Sequence, residues 1–133
     1  MKSKIALIFD KCRKAKRPAL ITYTVAGDNT KNNSLKILNK ISNHADILEL
    51  GFPHNTPIAD GGQIQGSSHR ALKNGIKLKD VFQIVKEFKK KNHNKPIILM
   101  GYYNLIYQNG ENNFLKSCKF SGVDGLIIVD LPY

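Results

Sequence analysis

Residues 46–65 read DILELGFPHNTPIADGGQIQ, and the rest of the chain is organised around them. The stretch opens as an apolar run of strand character, turns at Gly51 and Pro53, crosses a polar loop and delivers two carboxylates, Glu49 and Asp60. Glu49 is flanked by Ile47, Leu48 and Leu50. A carboxylate in so dry a setting has its pKa raised and can serve as general acid or base. Asp60 follows after enough loop to fold back over the strand end, and two carboxylates in different surroundings can take different protonation roles. From spacing alone a plainer reading stands beside this one and is the commoner outcome: Glu49 pairs with a lysine, and Asp60 caps the helix that follows Gly61 and Gly62.

Outward from this stretch, strand and helix signals alternate. Residues 3–16 open with Ser3 as a cap, and Ile5, Ile8, Phe9 and Cys12 fall on one helical face. ALITYTV, 19–25, is rich in β-branched and aromatic residues without alternation, as a strand covered on both faces should be. A helical stripe returns from Asn33 through Leu35, Ile37, Leu38 and Ile41, with Thr30 or Asn32 as cap. The strand at 45–51 follows. Beyond the central loop come a short helix at 64–73 and a longer one at about 79–91, which carries Leu78, Val81, Ile84, Val85 and Phe88 on one side. Its closing Lys89, Lys90 and Lys91 read as a solvated helix end, where the dipole favours cations. A strand at 97–101, a loop or broken helix over YYNLIYQNG, a helix at 111–121 with Phe114, Leu115 and Cys118 inward, and a strand at 124–129 complete the series. Four such units predict an α/β fold with right-handed βαβ connections and a parallel sheet. The pattern leaves a doubly wound sheet and a barrel equally open, and both build their sites at the carboxyl ends of strands.

Composition narrows the function classes. The chain has 133 residues, the size of one domain, and its 41% hydrophobic and 23% charged residues mark a globular protein. The basic, briefly apolar amino end resembles a leader only superficially, because Asp10 interrupts it and lysines follow. No apolar run approaches the roughly 20 residues that cross a bilayer. Cys12 and Cys118 fit no metal spacing and read as buried, reduced thiols of a cytoplasmic protein, with a structural disulfide as a poor second reading. The formal charge is +11, yet 18 of the 21 basic residues are lysine and no aromatic residues interleave with them, so nucleic acid is not the expected partner. G-x-G-x-x-G after the first strand and G-x-x-x-x-G-K-[ST] are both missing, which disfavours those modes of nucleotide binding.

The central stretch resembles the signature of the tryptophan synthase alpha chain family, which runs close to E-L-G-x-P-x-S-D-P-x-A-D-G-P-x-I-Q. Glu49, Leu50, Gly51, Pro53, Pro57, Ala59, Asp60, Gly61, Ile64 and Gln65 stand at matching places. ITYTVAGD is similar to the family's first strand, MGYYNLIYQNG to its third strand and loop, and GVDGLIIVDLPY to its fourth strand and turn. The resemblance implies the first four strands of a TIM (β/α)8 barrel, so that residues 1–133 form a single incomplete domain, its amino-terminal half. It also implies aldol cleavage of indole-3-glycerol phosphate to indole and glyceraldehyde 3-phosphate, with no metal or organic cofactor and with a beta chain as partner in an alpha2beta2 tetramer. Glu49 matches the catalytic proton-transfer group. Asp60 matches the aspartate beside the indole nitrogen, where it stabilises the charge developing on the ring. Tyr102 matches an aromatic residue lining the indole pocket, and Tyr23 falls about where the family places another; by themselves the two tyrosines would read as core packing.

Departures qualify these expectations. Asn55 and Thr56 replace a serine and an aspartate in the loop that faces the beta chain, and Gly62 replaces a proline and should loosen the loop beside Asp60. His54 has no assigned role. A complete barrel needs about 250 residues, and the family's phosphate-binding loops follow later strands. The chain is therefore expected to be inactive alone and, with open sheet edges and a bare inner face, to self-associate. The alternative is a non-catalytic half-barrel module that works by self-association or by binding a beta chain.

Overall fold

The computed structural model describes residues 2–131. Pro132 and Tyr133, which close the stretch resembling the family's fourth turn, lie outside them. The elements run α1 (Lys4–Lys14), β1 (Ile21–Val25), α2 (Lys31–Ile41), β2 (Ile47–Gly51), α3 (Gly62–Lys73), α4 (Leu78–Lys91), β3 (Ile97–Gly101), α5 (Tyr103–Asn109), α6 (Glu111–Ser121) and β4 (Gly125–Ile128). The strands form one sheet in the order β1-β2-β3-β4, with every pairing parallel. This order resolves what alternation left open. A doubly wound sheet reverses direction at a switch point, whereas here each strand is added on the same side, as in a barrel wall.

Helices α2, α4 and α6 cover one face. Leu48, Leu50, Ile97 and Leu99 point into that layer and meet Leu38, Val81, Val85, Phe88 and Phe114 in the main core cluster. Each fully buried aliphatic or aromatic side chain there contributes roughly 1.5–3 kcal/mol. Helix starts are fixed locally: Ser3 Oγ accepts from Ala6 N, Thr30 Oγ1 from Asn33 N, and Asp80 Oδ2 from Lys77 N.

The amino ends of the strands are closed by charge. Asp46, just before β2, accepts from Leu20 N at 2.8 Å and takes a two-pronged bond from Arg17 at 2.7 and 2.8 Å. Asp124, just before β4, accepts from Ile97 N and from the Lys89 ammonium, with Lys4 at 3.4 Å from its other oxygen. Helix α1 lies across this end, with Ile5 against Gly125.

Several expectations change. β1 is not covered on both faces: Ile21 is 42% exposed, because β1 is an edge strand of the described sheet. Of the face predicted for α1 only Cys12 is buried, and Phe9 stands exposed. Leu115 also faces outward; Phe114 and Cys118 carry the contact of α6. YYNLIYQNG is a defined helix, α5, whose first turn is held by Asp130 from the end of β4 accepting from Tyr103 N at 2.7 Å. Lys89 is no solvated helix end: its side chain is only 10% exposed and lies between Asp124 and the Lys95 carbonyl. Burial there lowers the ammonium's pKa, against the opposing pull of Asp124. Cys12 and Cys118 are free and buried, and burial pushes the Cys118 thiol up to about 11. Among the described residues no helix is long and apolar enough to cross a membrane, and no three His, Cys, Asp or Glu side chains cluster as metal ligands.

Candidate active site

Glu49 is the middle residue of β2. Because side chains alternate across a strand, the neighbours that send Leu48 and Leu50 into the helix layer turn Glu49 to the opposite face. In register with it on that face stand Tyr23 of β1, Ile98 of β3 and then Gly125 of β4. Its flanks are therefore a phenol ring and an aliphatic side chain. Burial raises its pKa, and among the described residues no cation lies within ion-pair distance of it. The plainer reading, a Glu49–lysine pair, is not what the chain builds.

Tyr23 leans from β1 across the end of β2. A Cβ on Gly51 would come within 2.1 Å of its hydroxyl oxygen, so the glycine after Glu49-Leu50 makes room for this ring. The Tyr23 phenol is pushed up, first by burial and then by the charges of Asp60 and Glu49. One hydroxyl thus lies within electrostatic reach of both carboxylates. In the same way Gly101 makes room for Phe52, whose ring packs edge-on against Phe114.

Asp60 ends the β2–α3 loop. It does not cap α3: Gly61 is the N-cap residue and supplies no side chain. The Asp60 backbone carbonyl accepts from Gln65 Nε2 at 2.7 Å, and the carboxylate bears on Tyr23 and Tyr102. Tyr102, 3% exposed at the end of β3, accepts from Ala59 N at 3.0 Å through its hydroxyl and stacks on His54. Its phenol is raised by burial first, with the Asp60 carboxylate adding to the effect. His54 in turn lies 3.0 Å from Thr56 Oγ1. Of the four residues singled out from the sequence, Tyr23 and Glu49 are the middle residues of β1 and β2, while Asp60 lies in the loop after β2 and Tyr102 directly follows β3; the Tyr23 phenol lies within electrostatic reach of both acids.

Sequence reasoning offered Tyr102 as a pocket wall or as core packing; its hydroxyl also ties down the residue before Asp60. It missed Asp28 and Arg70 as well, which join the loop after β1 to α3 through bonds of 2.7 and 2.8 Å. Arginine in a chain dominated by lysine was the available signal, since a two-pronged carboxylate bond requires the guanidinium fork.

A singly wound parallel sheet covered on one face by helices defines the class: the first four strands of a TIM barrel. Comparison with known proteins agrees. The family model described as tryptophan synthase alpha chain matches residues 9–133. The tryptophan synthase alpha chain of Pelagibacter ubique is 70% identical over 131 residues, covering 98% of this chain and 49% of that relative. That of Pyrococcus furiosus is 52% identical over 86% of this chain and 46% of its own length. The crystal structure of tryptophan synthase subunit alpha from Legionella pneumophila superposes with a TM-score of 0.95 at 35% identity, over 99% of this chain and 51% of that one. A Pyrococcus furiosus alpha chain in a tryptophan synthase a2b2 complex gives 0.83 at 52% identity, over 86% of this chain and 48% of that one. The chain belongs to the tryptophan synthase alpha chain family and spans about half the length of the curated relatives it matches.

Proposed function

We propose that these residues supply the acid–base half of an indole-3-glycerol phosphate lyase. The observation that carries the reading is Glu49: a carboxyl group with raised pKa, no cation partner among the described residues, and a phenol and an isoleucine for neighbours. A group in that state holds its proton at higher pH than an ordinary glutamate and can deliver it to the indole ring carbon as the carbon–carbon bond breaks. In this reading Asp60, at the end of the loop, faces the ring nitrogen and stabilises positive charge developing there. Tyr23 and Tyr102 supply the flat, largely apolar walls that an indole ring needs. No cofactor enters this chemistry.

Positioning the substrate by its phosphate requires groups beyond the four described βα units, and such positioning is worth about 7–11 kcal/mol in well-oriented systems. Activity therefore belongs to a complete chain, paired with a beta chain in the cytoplasm. Residues 1–133 by themselves self-associate through the open edges, where Ile21, Leu126 and Ile127 are partly exposed; sedimentation as a dimer or larger species is expected, and a rigid monomer would count against it. For the activity, residues 1–133 are joined to the remaining half of the Pelagibacter ubique relative and indole release from indole-3-glycerol phosphate is followed. Glu49→Gln and Asp60→Asn should each lower kcat by on the order of 10²- to 10⁴-fold. Full activity in Glu49→Gln would refute the assignment.

A further inference from the structure

Asp60 is useful only if the loop that ends in it is held in one position, and the structure shows how it is held from two sides. From β3, the Tyr102 hydroxyl accepts from Ala59 N. From α3, Gln65 Nε2 donates to the Asp60 carbonyl, so the position of Asp60 follows the position of that helix. Helix α3 packs on β1 and is fastened there at its far turns. Arg70 Nε and Nη2 donate to the two oxygens of Asp28, Nη2 also reaches Ser67 Oγ at 3.1 Å, and Asn74 donates to the Asn29 carbonyl at 2.7 Å. The loop that receives them is itself fixed: Gly27 N donates to the buried Ser34 Oγ at 2.7 Å, and the missing side chain of Gly27 lets Ile76 pack where a Cβ would stand.

The Arg70 and Asp28 side chains are 53% and 25% exposed, and pairs of that exposure add little to global stability. Their geometry is nevertheless the most constraining a side-chain pair can make, two parallel bonds in one plane. A contact with high geometric definition and low stability value serves to orient what it joins.

We propose that Asp28 and Arg70 are positioning residues for the active site: their two-pronged bond sets α3 against the loop that follows β1 and, through Gln65, sets Asp60 beside Tyr23 and Tyr102. The proposal rests on the role given to Asp60 above. On this proposal each acts on kcat through Asp60 rather than on binding. A lysine at position 70 keeps the charge but loses the fork, and should not substitute.

The test uses the joined complete chain and steady-state cleavage of indole-3-glycerol phosphate. Arg70→Lys and Asp28→Asn should each lower kcat on the order of 10- to 100-fold, the scale of a small misplacement of a catalytic group. KM should change by less than about twofold, and the melting temperature should barely move. On an Asp60→Asn background the same Asp28→Asn change should cost less than about twofold, because the group it positions is gone. Parental kcat in Arg70→Lys and Asp28→Asn, or equal losses on both backgrounds, overturns the proposal. A parent chain without lyase activity, or one indifferent to Asp60→Asn, overturns the reading of the site and the clamp's role with it.

Discussion

The two ends of the sheet treat carboxylates in opposite ways. At the amino ends, Asp46 and Asp124 are matched to cations and backbone N–H groups: Asp46 to Arg17 and Leu20, Asp124 to Lys89, Lys4 and Ile97. Each of these acids joins neighbouring strands across the floor of the fold. Arg17 first, and then the Leu20 N–H, holds the Asp46 carboxyl well below the usual range. At the carboxyl ends, Glu49 has no such partner among the described residues, and burial moves its pKa the other way. Paired charge joins the strands at one end, while the unpaired Glu49 is the group that the proposed reaction uses. Burying an unpaired carboxyl group costs stability, which is the ordinary signature of a group retained for chemistry.

This contrast can be broken at either end. The largest effect is expected on the floor. Asp124→Ala in the complete chain leaves the Lys89 ammonium buried without its partner and orphans Ile97 N–H, and it should cost about 3–5 kcal/mol in denaturant unfolding. A loss under about 1 kcal/mol would place Asp124 among ordinary surface ion pairs. A smaller effect of opposite sign is expected beside the site. Gly62 opens α3, has nothing within 4 Å of where a Cβ would stand, and occupies the first helical position, where proline is preorganised. Gly62→Pro should therefore stabilise the complete chain by about 0.4–1 kcal/mol. A destabilisation would mean that the helix start needs the amide or a φ that proline lacks.

Much of this division was legible in the sequence. The order of elements follows from hydrophobic periodicity; Glu49 and Asp60 stood out as acids at a strand end and in its loop, though β2 ends two residues beyond Glu49, which is its middle residue. What periodicity misses is which end of a neighbouring strand a helix overlies. Lys89 sits in a run of three lysines, and only the packing of α4 beside β3 and β4 turns the first of them inward to Asp124. The cap of α5 was invisible for a related reason: its acceptor, Asp130, comes from the end of another strand. The exposure of Ile21 and Leu126 reflects sheet edges, a property of neighbours rather than of strand composition. Arginine usage was informative and went unused. Two of the three arginines, Arg17 and Arg70, make two-pronged bonds to aspartates, each joining segments distant in the chain.

The division of labour between the two ends is tested most directly by the thermal melting of Glu49→Gln in the complete chain as a function of pH. The folded-state pKa of Glu49 is raised, so the folded chain binds its proton more tightly than the unfolded chain does. Stability is therefore lost as pH rises from the unfolded value, roughly 4.3, through the folded one, and an ionised Glu49 is a standing cost above that window. The neutral glutamine removes this cost. At neutral pH the variant should melt at or above the parent, and the two curves should converge on acidification. A variant that melts below the parent at neutral pH would show that Glu49 is paired and structural, as Asp46 and Asp124 are, and would contradict the account.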